Sequence, residues 1–129
     1  FSADDSFWRA AGSNPRTRFH EAYWEVAPGE ALVVEMTPPK AGGFWSIGLT
    51  NFWMESLDFR HFQMNLNSSS AIYNAAGGVT AVIASEDPGV PNWLDTGGHD
   101  RGMALCRWND VDQTPAVPTI RRVRSDSAT

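Results

Sequence analysis

Between Phe44 and Thr50 every second residue is large and apolar: Trp45, Ile47 and Leu49 alternate with Ser46, Gly48 and Thr50. A strand sends successive side chains to opposite faces, so this pattern describes a sheet with one buried and one wet side, not an amphipathic helix. The same period returns in Leu32, Val34 and Met36, and in Phe62, Met64 and Leu66 set against His61, Gln63 and Asn65. Turn chemistry separates the runs. Pro28-Gly29 divides a strand-like stretch over 17–26 from one over 31–37, and Thr37-Pro38-Pro39 ends the latter because proline cannot donate to a ladder. A short strand at 71–73 is expected to enter a hairpin loop at Gly77-Gly78, where glycine tolerates positive φ. Further strands are expected over 59–66, 79–85, 102–108 and 119–123, and a short helix over 6–11 between the acidic Asp4-Asp5 and Gly12. With about eight strands and no strand-helix alternation, the predicted fold is all-β. Two packed antiparallel sheets would form a jelly-roll-like sandwich with at most one short N-terminal helix.

The chain has 129 residues, enough for one domain with one real core. Hydrophobic residues make up 42% and charged residues 19%, and no apolar run reaches the ~20 residues of a membrane-spanning helix, so neither disorder nor a membrane partner is expected. A net charge of -5 argues against nucleic acid, whose binding surfaces are basic. Arg121, Arg122 and Arg124 read as a solvated C-terminal face, with a small anion patch as the alternative. Cys106 is the only cysteine, which excludes an intrachain disulfide and a thiolate zinc site and leans towards a reducing, cytoplasmic setting. Its strand-like surroundings suggest a small buried hydrophobe. Asn67-Ser68-Ser69 fits a glycosylation acceptor but is a common triplet. A start at Phe1, without a signal-like segment, fits a mature product or an excised piece.

Chemistry concentrates in two segments. In 87–108, DPGVPNWLDTGGHDRGMALCRW, a connection too long for a simple hairpin carries most of the polar candidates. Pro88, Gly89 and Pro91 stiffen it, Trp93 is a large apolar anchor, and Asn92, Asp95 and His99 are the groups able to face a ligand. His99 suits proton transfer near neutral pH and Asp95 is placed to orient it. The structural alternative has Trp93 plugging the end of the core, Asp95 capping a turn and His99 bonding to backbone. In 51–61, Glu55, Asp58, Arg60 and His61 read first as a salt-bridged turn involving Arg60 or Arg107, and alternatively as part of a cleft walled by Trp53 and Trp93. A site from His61, His99 and a carboxylate would satisfy metal chemistry, but no His-x-His pair or HExxH spacing occurs, and no metal or other cofactor is expected.

Phe44-Trp45, the 51–61 block and above all 87–99 resemble the domain of unknown function 1214 family, and the likeness continues through Gly102, Arg107-Trp108 and the 118–123 tail. The resemblance covers residues from about Glu30 to the end. It implies an antiparallel sandwich at the C-terminus of a longer chain, behind a companion domain, and brings no assigned reaction. Lys40 to Gly43, the Gly97-Gly98 pair and Asn109-Asp110 depart from the family's pattern.

Three functions follow from these residues. The first is a non-catalytic module, 1–129, that binds a ligand or another domain, with Trp53, Arg60, Asn92, Trp93 and Arg107 as ligand-binding candidates. The second is an acid-base hydrolase or lyase acting on a small organic or carbohydrate-like molecule through His99, Asp95, His61 and Glu55. The third is a structural domain that forms homo-oligomers. A sandwich hosts many functions, so fold does not choose among them; the missing catalytic signature favours the first. Six tryptophans serve mainly the core, with stacking on a sugar or another flat ligand as a further use.

Overall fold

The computed structural model describes residues 17–38, 44–51, 63–109 and 116–124. Among these the chain forms eight strands and no helix: β1 (Arg18–Glu25), β2 (Glu30–Met36), β3 (Trp45–Asn51), β4 (Asn65–Asn67), β5 (Val79–Ala84), β6 (Trp93–Asp95), β7 (Arg101–Trp108) and β8 (Thr119–Arg124). The helix expected over 6–11 lies outside the described residues. No helix among the described residues is long and apolar enough to cross a membrane.

The strands form two four-stranded sheets, a front sheet in the order β1-β7-β3-β4 and a back sheet in the order β6-β5-β2-β8. Alternation placed the front sheet correctly. Trp45, Ile47 and Leu49 are buried, while Ser46, Gly48 and Thr50 point outward. Facing them from the back sheet are Leu32, Val34, Met36 and Ile83, which join them in one core. The Cys106 thiol approaches the Met36 sulfur at 3.9 Å across the two sheets. Full burial of each such aliphatic side chain contributes roughly 1.5–3 kcal/mol, so this shared core is the main force holding the sheets together.

Two expectations are corrected. Five of the strand pairings are antiparallel, but β5 and β6 run parallel, with Val82 opposite Trp93 and Ala84 opposite Asp95. The connection over 85–92 carries the chain back along β5 before β6 begins, which a hairpin would not do. No strand forms at 71–73; Asn92, described below, bonds to that backbone instead.

The inner strands of the back sheet, β2 and β5, are largely buried on both faces. Ala31, Val82 and Ala84 point away from the main core and pack with Trp93, Val90 and Val123. That is why β2 and β5 read as nearly continuous apolar runs.

Single side chains tie the sheets together along both margins. Beside β4, the Gln63 carbonyl accepts from the Asp95 amide at 2.7 Å, and its side-chain amide donates to the carbonyls of Pro91 and Trp93. On the opposite margin Arg122 of β8 donates to the Glu25 carbonyl and to the Glu30 carboxylate, both at 2.8 Å. The Ala27 amide, with Arg122 adding to it against a partial loss of solvation, holds the Glu30 carboxyl below the usual carboxylate range. Arg121 lies 3.9 Å from Glu35, so these two tail arginines face acids of β2 across the sheet.

Candidate functional site

The 87–99 segment is built by its own side chains. The Asp87 carboxylate accepts from the Gly89 amide at 2.8 Å, and Gly89 takes a φ of 83°, turning the chain towards β6. Asn92 is buried. Its carbonyl oxygen accepts from the Ile72 amide at 2.9 Å, and its NH₂ group donates to the carbonyls of Ile72 at 2.7 Å and Thr80 at 3.2 Å. The carboxamide thus takes the place of a strand partner for Ile72. Replacing Asn92 by alanine strands three backbone groups, and a loss of roughly 2 kcal/mol or more is expected in urea unfolding. Asn92→Asp should cost at least as much as alanine, because a buried carboxylate oxygen would then face the Ile72 and Thr80 carbonyls.

Trp93 does not plug the end of the main core. It lies on the outer face of the back sheet against Ala31, Val82 and Ala84, and its indole donates to the Ala84 carbonyl at 2.9 Å. Asp95 accepts from the Gly97 amide at 2.9 Å, and Gly97 and Gly98 follow with φ of 62° and 86°. The His99 amide bonds back to the Thr96 carbonyl at 3.1 Å, which closes the turn and leaves the His99 side chain exposed. Among the described residues no hydrogen bond or ion pair joins the Asp95 carboxylate to the His99 imidazole, and no group of His, Cys, Asp or Glu is placed to hold a metal ion. Burial pushes the Cys106 thiol far up, which disfavours the thiolate a nucleophile needs.

Trp53, Glu55, Asp58, Arg60 and His61 lie outside the described residues. What the structure does show is that the connection holding them leaves at Asn51, beside Gly102, and returns at Gln63, bonded to Asp95.

A trough that the sequence did not single out runs along the outer face of the front sheet. The register sets Arg107, Ser46 and Asn67 on one rung and Leu105, Gly48 and Asn65 on the next. Small residues on β3 form the floor, and longer side chains on β7 and β4 form the walls. The trough holds about 540 Å³ and is lined also by Thr50, Leu49 and Met64. That is the size of an ordinary small-molecule site. A Cβ at Gly48 would stand 3.1 Å from the Asn65 amide nitrogen, so glycine here lets that carboxamide lie over the floor.

Arg107 supplies the charge. Its guanidinium carbon lies 5.9 Å from the Phe19 ring centroid. Arg101, Arg121 and Arg122 all have a carboxylate within 4 Å, but among the described residues Arg107 has none. Of the described ligand-binding candidates from the sequence, Arg107 lies in this trough, while Asn92 and Trp93 are used by the back sheet.

No family model matches this chain, and no curated protein matches it. Solved structures do. An uncharacterised protein from Burkholderia cenocepacia superposes with a TM-score of 0.83 at 42% identity, over 88% of this chain and 31% of that one. The VPA0106 protein from Vibrio parahaemolyticus superposes with a TM-score of 0.74 at 13% identity, over 91% of this chain and 33% of that one, a likeness of fold alone. The chain thus spans about a third of the length of these proteins.

Proposed function

We propose that this chain is a non-catalytic sandwich module that binds a small ligand in the front-sheet trough, in the service of a longer protein. The observation that carries the reading is the trough itself: an open space of about 540 Å³ with an arginine that no described carboxylate neutralises. By contrast, Asp87 and Asp95 are taken up in shaping the 87–99 loop, and Asn92 in bonding to the Ile72 and Thr80 backbone. Membership of the domain of unknown function 1214 family, a jelly-roll type of sandwich and a single domain over 1–129 belong to the same proposal. The motif block and the two four-stranded sheets support them. A cytoplasmic setting is supported by the lone cysteine.

The test is a ligand-observed NMR screen of small polar fragments against the wild type, Ser46→Phe, and the double variant Asp95→Asn with His99→Ala. Ser46→Phe fills the trough from a solvent-facing position and leaves the core untouched. Binders found with the wild type are expected to vanish with Ser46→Phe and to persist with the double variant. The opposite pattern, or no binders at all, overturns the proposal.

Domain assembly is the second reading, favoured by one observation. Ile72 and Tyr73 are exposed large apolar residues beside Val90 and Pro91, along a groove of about 300 Å³. The companion part of a longer polypeptide is the occupant this reading names.

A further inference from the structure

We propose that the ligand of the front-sheet trough is a sugar acid, a hydroxylated carboxylate of monosaccharide size. This rests on the binding reading above and goes further, to the chemistry of the occupant.

Three polar side chains lining the trough make no hydrogen bond to any described residue: the Arg107 guanidinium, the Asn65 carboxamide and the Ser46 hydroxyl. Their chemistries differ in a useful way. Arg107 presents a planar fork of donors suited to the two oxygens of a carboxylate. Asn65 and Ser46 each donate and accept, which is what a ring of hydroxyl groups requires. Thr50 donates its hydroxyl to the Asn51 carbonyl at 3.0 Å, so its remaining lone pairs can accept a further donor. The lining exposes more apolar than polar surface, from Leu105, Leu49, Met64 and the bare Gly48 backbone, which suits the carbon-bearing face of a sugar ring. A purely apolar acid would leave Asn65 and Ser46 facing carbon, which costs them their water without replacement.

Other anions fit less well. A phosphate carries close to two charges, and the described lining supplies one cation in a chain of net charge -5. The backbone amides of the floor strand point along the sheet into its ladders, so they form no nest for phosphate oxygens. Width agrees with a single ring. The walls stand on strands two spacings apart, roughly 9–10 Å between backbones.

The experiment is isothermal titration of the intact chain with sodium D-glucuronate, with glucose and sodium benzoate as the neutral and apolar comparisons. It is repeated on Arg107→Gln, which keeps the aliphatic stem over Phe19, and on Asn65→Ala. Glucuronate is expected to bind at least about tenfold more tightly than glucose, since its carboxylate adds a charge-assisted bond to Arg107. Arg107→Gln should lose about tenfold or more, and Asn65→Ala roughly fivefold. Circular dichroism checks that both variants remain folded. Benzoate binding as tightly as glucuronate would overturn the sugar-acid class and leave the trough as an anion site. No binding of glucuronate, while the fragment screen still finds binders sensitive to Ser46→Phe, overturns this inference alone. If neither experiment finds a binder, both readings fall.

Discussion

Adding one methyl group at Gly102 is expected to destabilise the fold by at least about 3 kcal/mol, the upper range for overpacking a closely packed site. Gly102, the second residue of β7, lies between Trp24 of β1 and Asn51 of β3. A Cβ there would overlap the Thr50 carbonyl oxygen and stand 2.8 Å from the Trp24 ring. Neither neighbour can retreat easily. The carbonyl belongs to the backbone of β3, and Trp24 is buried in the main core. Glycine is needed here for space, to let backbone and indole close over the strand. Urea unfolding of Gly102→Ala, with circular dichroism for the native state, gives the answer; a loss under 1 kcal/mol would mean that β1 and β3 are not held as described.

The second large effect is expected at Trp108, at the other end of β7. It is almost wholly buried and sits in a row of rings, with centroids 6.0 Å from His20 and 6.2 Å from Trp45. Its indole donates to His20 Nδ1 at 3.1 Å, which requires the unprotonated form of that nitrogen. Trp45 continues the row, donating to the Tyr73 hydroxyl at 3.1 Å, and that hydroxyl donates to the Ser68 carbonyl at 3.1 Å. Trp108→Ala removes the largest fully buried side chain of the described core, and about 4 kcal/mol should be lost. Trp108→Phe keeps most of the volume but takes the donor away from His20, so a smaller loss of about 1–2 kcal/mol is expected. No loss in Trp108→Phe, measured by urea unfolding, would show that the indole N–H contributes nothing, and equal losses in the two variants would show that the ring volume does not matter.

The parts of the fold that were readable from sequence are those with one wet face. Trp45, Ile47 and Leu49 against Ser46, Gly48 and Thr50 gave the orientation of β3 outright. Met64 and Leu66 are buried while Gln63 and Asn65 are exposed, again as the alternation requires. What escaped has physical causes. β6 is three residues long, and the two before it are Pro91 and Asn92, so no period could develop. The strand expected at 71–73 failed because its hydrogen bonds are met by a side chain twenty positions away, which no local pattern announces. Parallel pairing of β5 with β6 depends on the path of the 85–92 connection, which is a tertiary matter.

The site was less readable than the fold. Arg107 was a candidate from the motif, but Asn65, Ser46 and Gly48 were taken only as the polar sides of strands. Their small sizes at alternate positions of β3 were visible. Knowing that β7 and β4 flank β3, and so raise walls on both sides of it, required the register. Asp95 and His99 attracted attention because carboxylates and imidazoles carry chemistry; here the Asp95 carboxylate bonds to the loop's own backbone and the imidazole stands in solvent.

The central claim is that function belongs to the outer face of the front sheet and that the 87–99 segment is scaffold. Protein-observed NMR of the labelled chain during titration with any binder from the screen tests it most directly. The account predicts that the largest shifts fall on Gly48, Asn65, Leu105 and the Arg107 side chain, with Gly97, Gly98 and His99 unmoved. Shifts gathered on Asp95 to His99, with Gly48 and Arg107 silent, would contradict it.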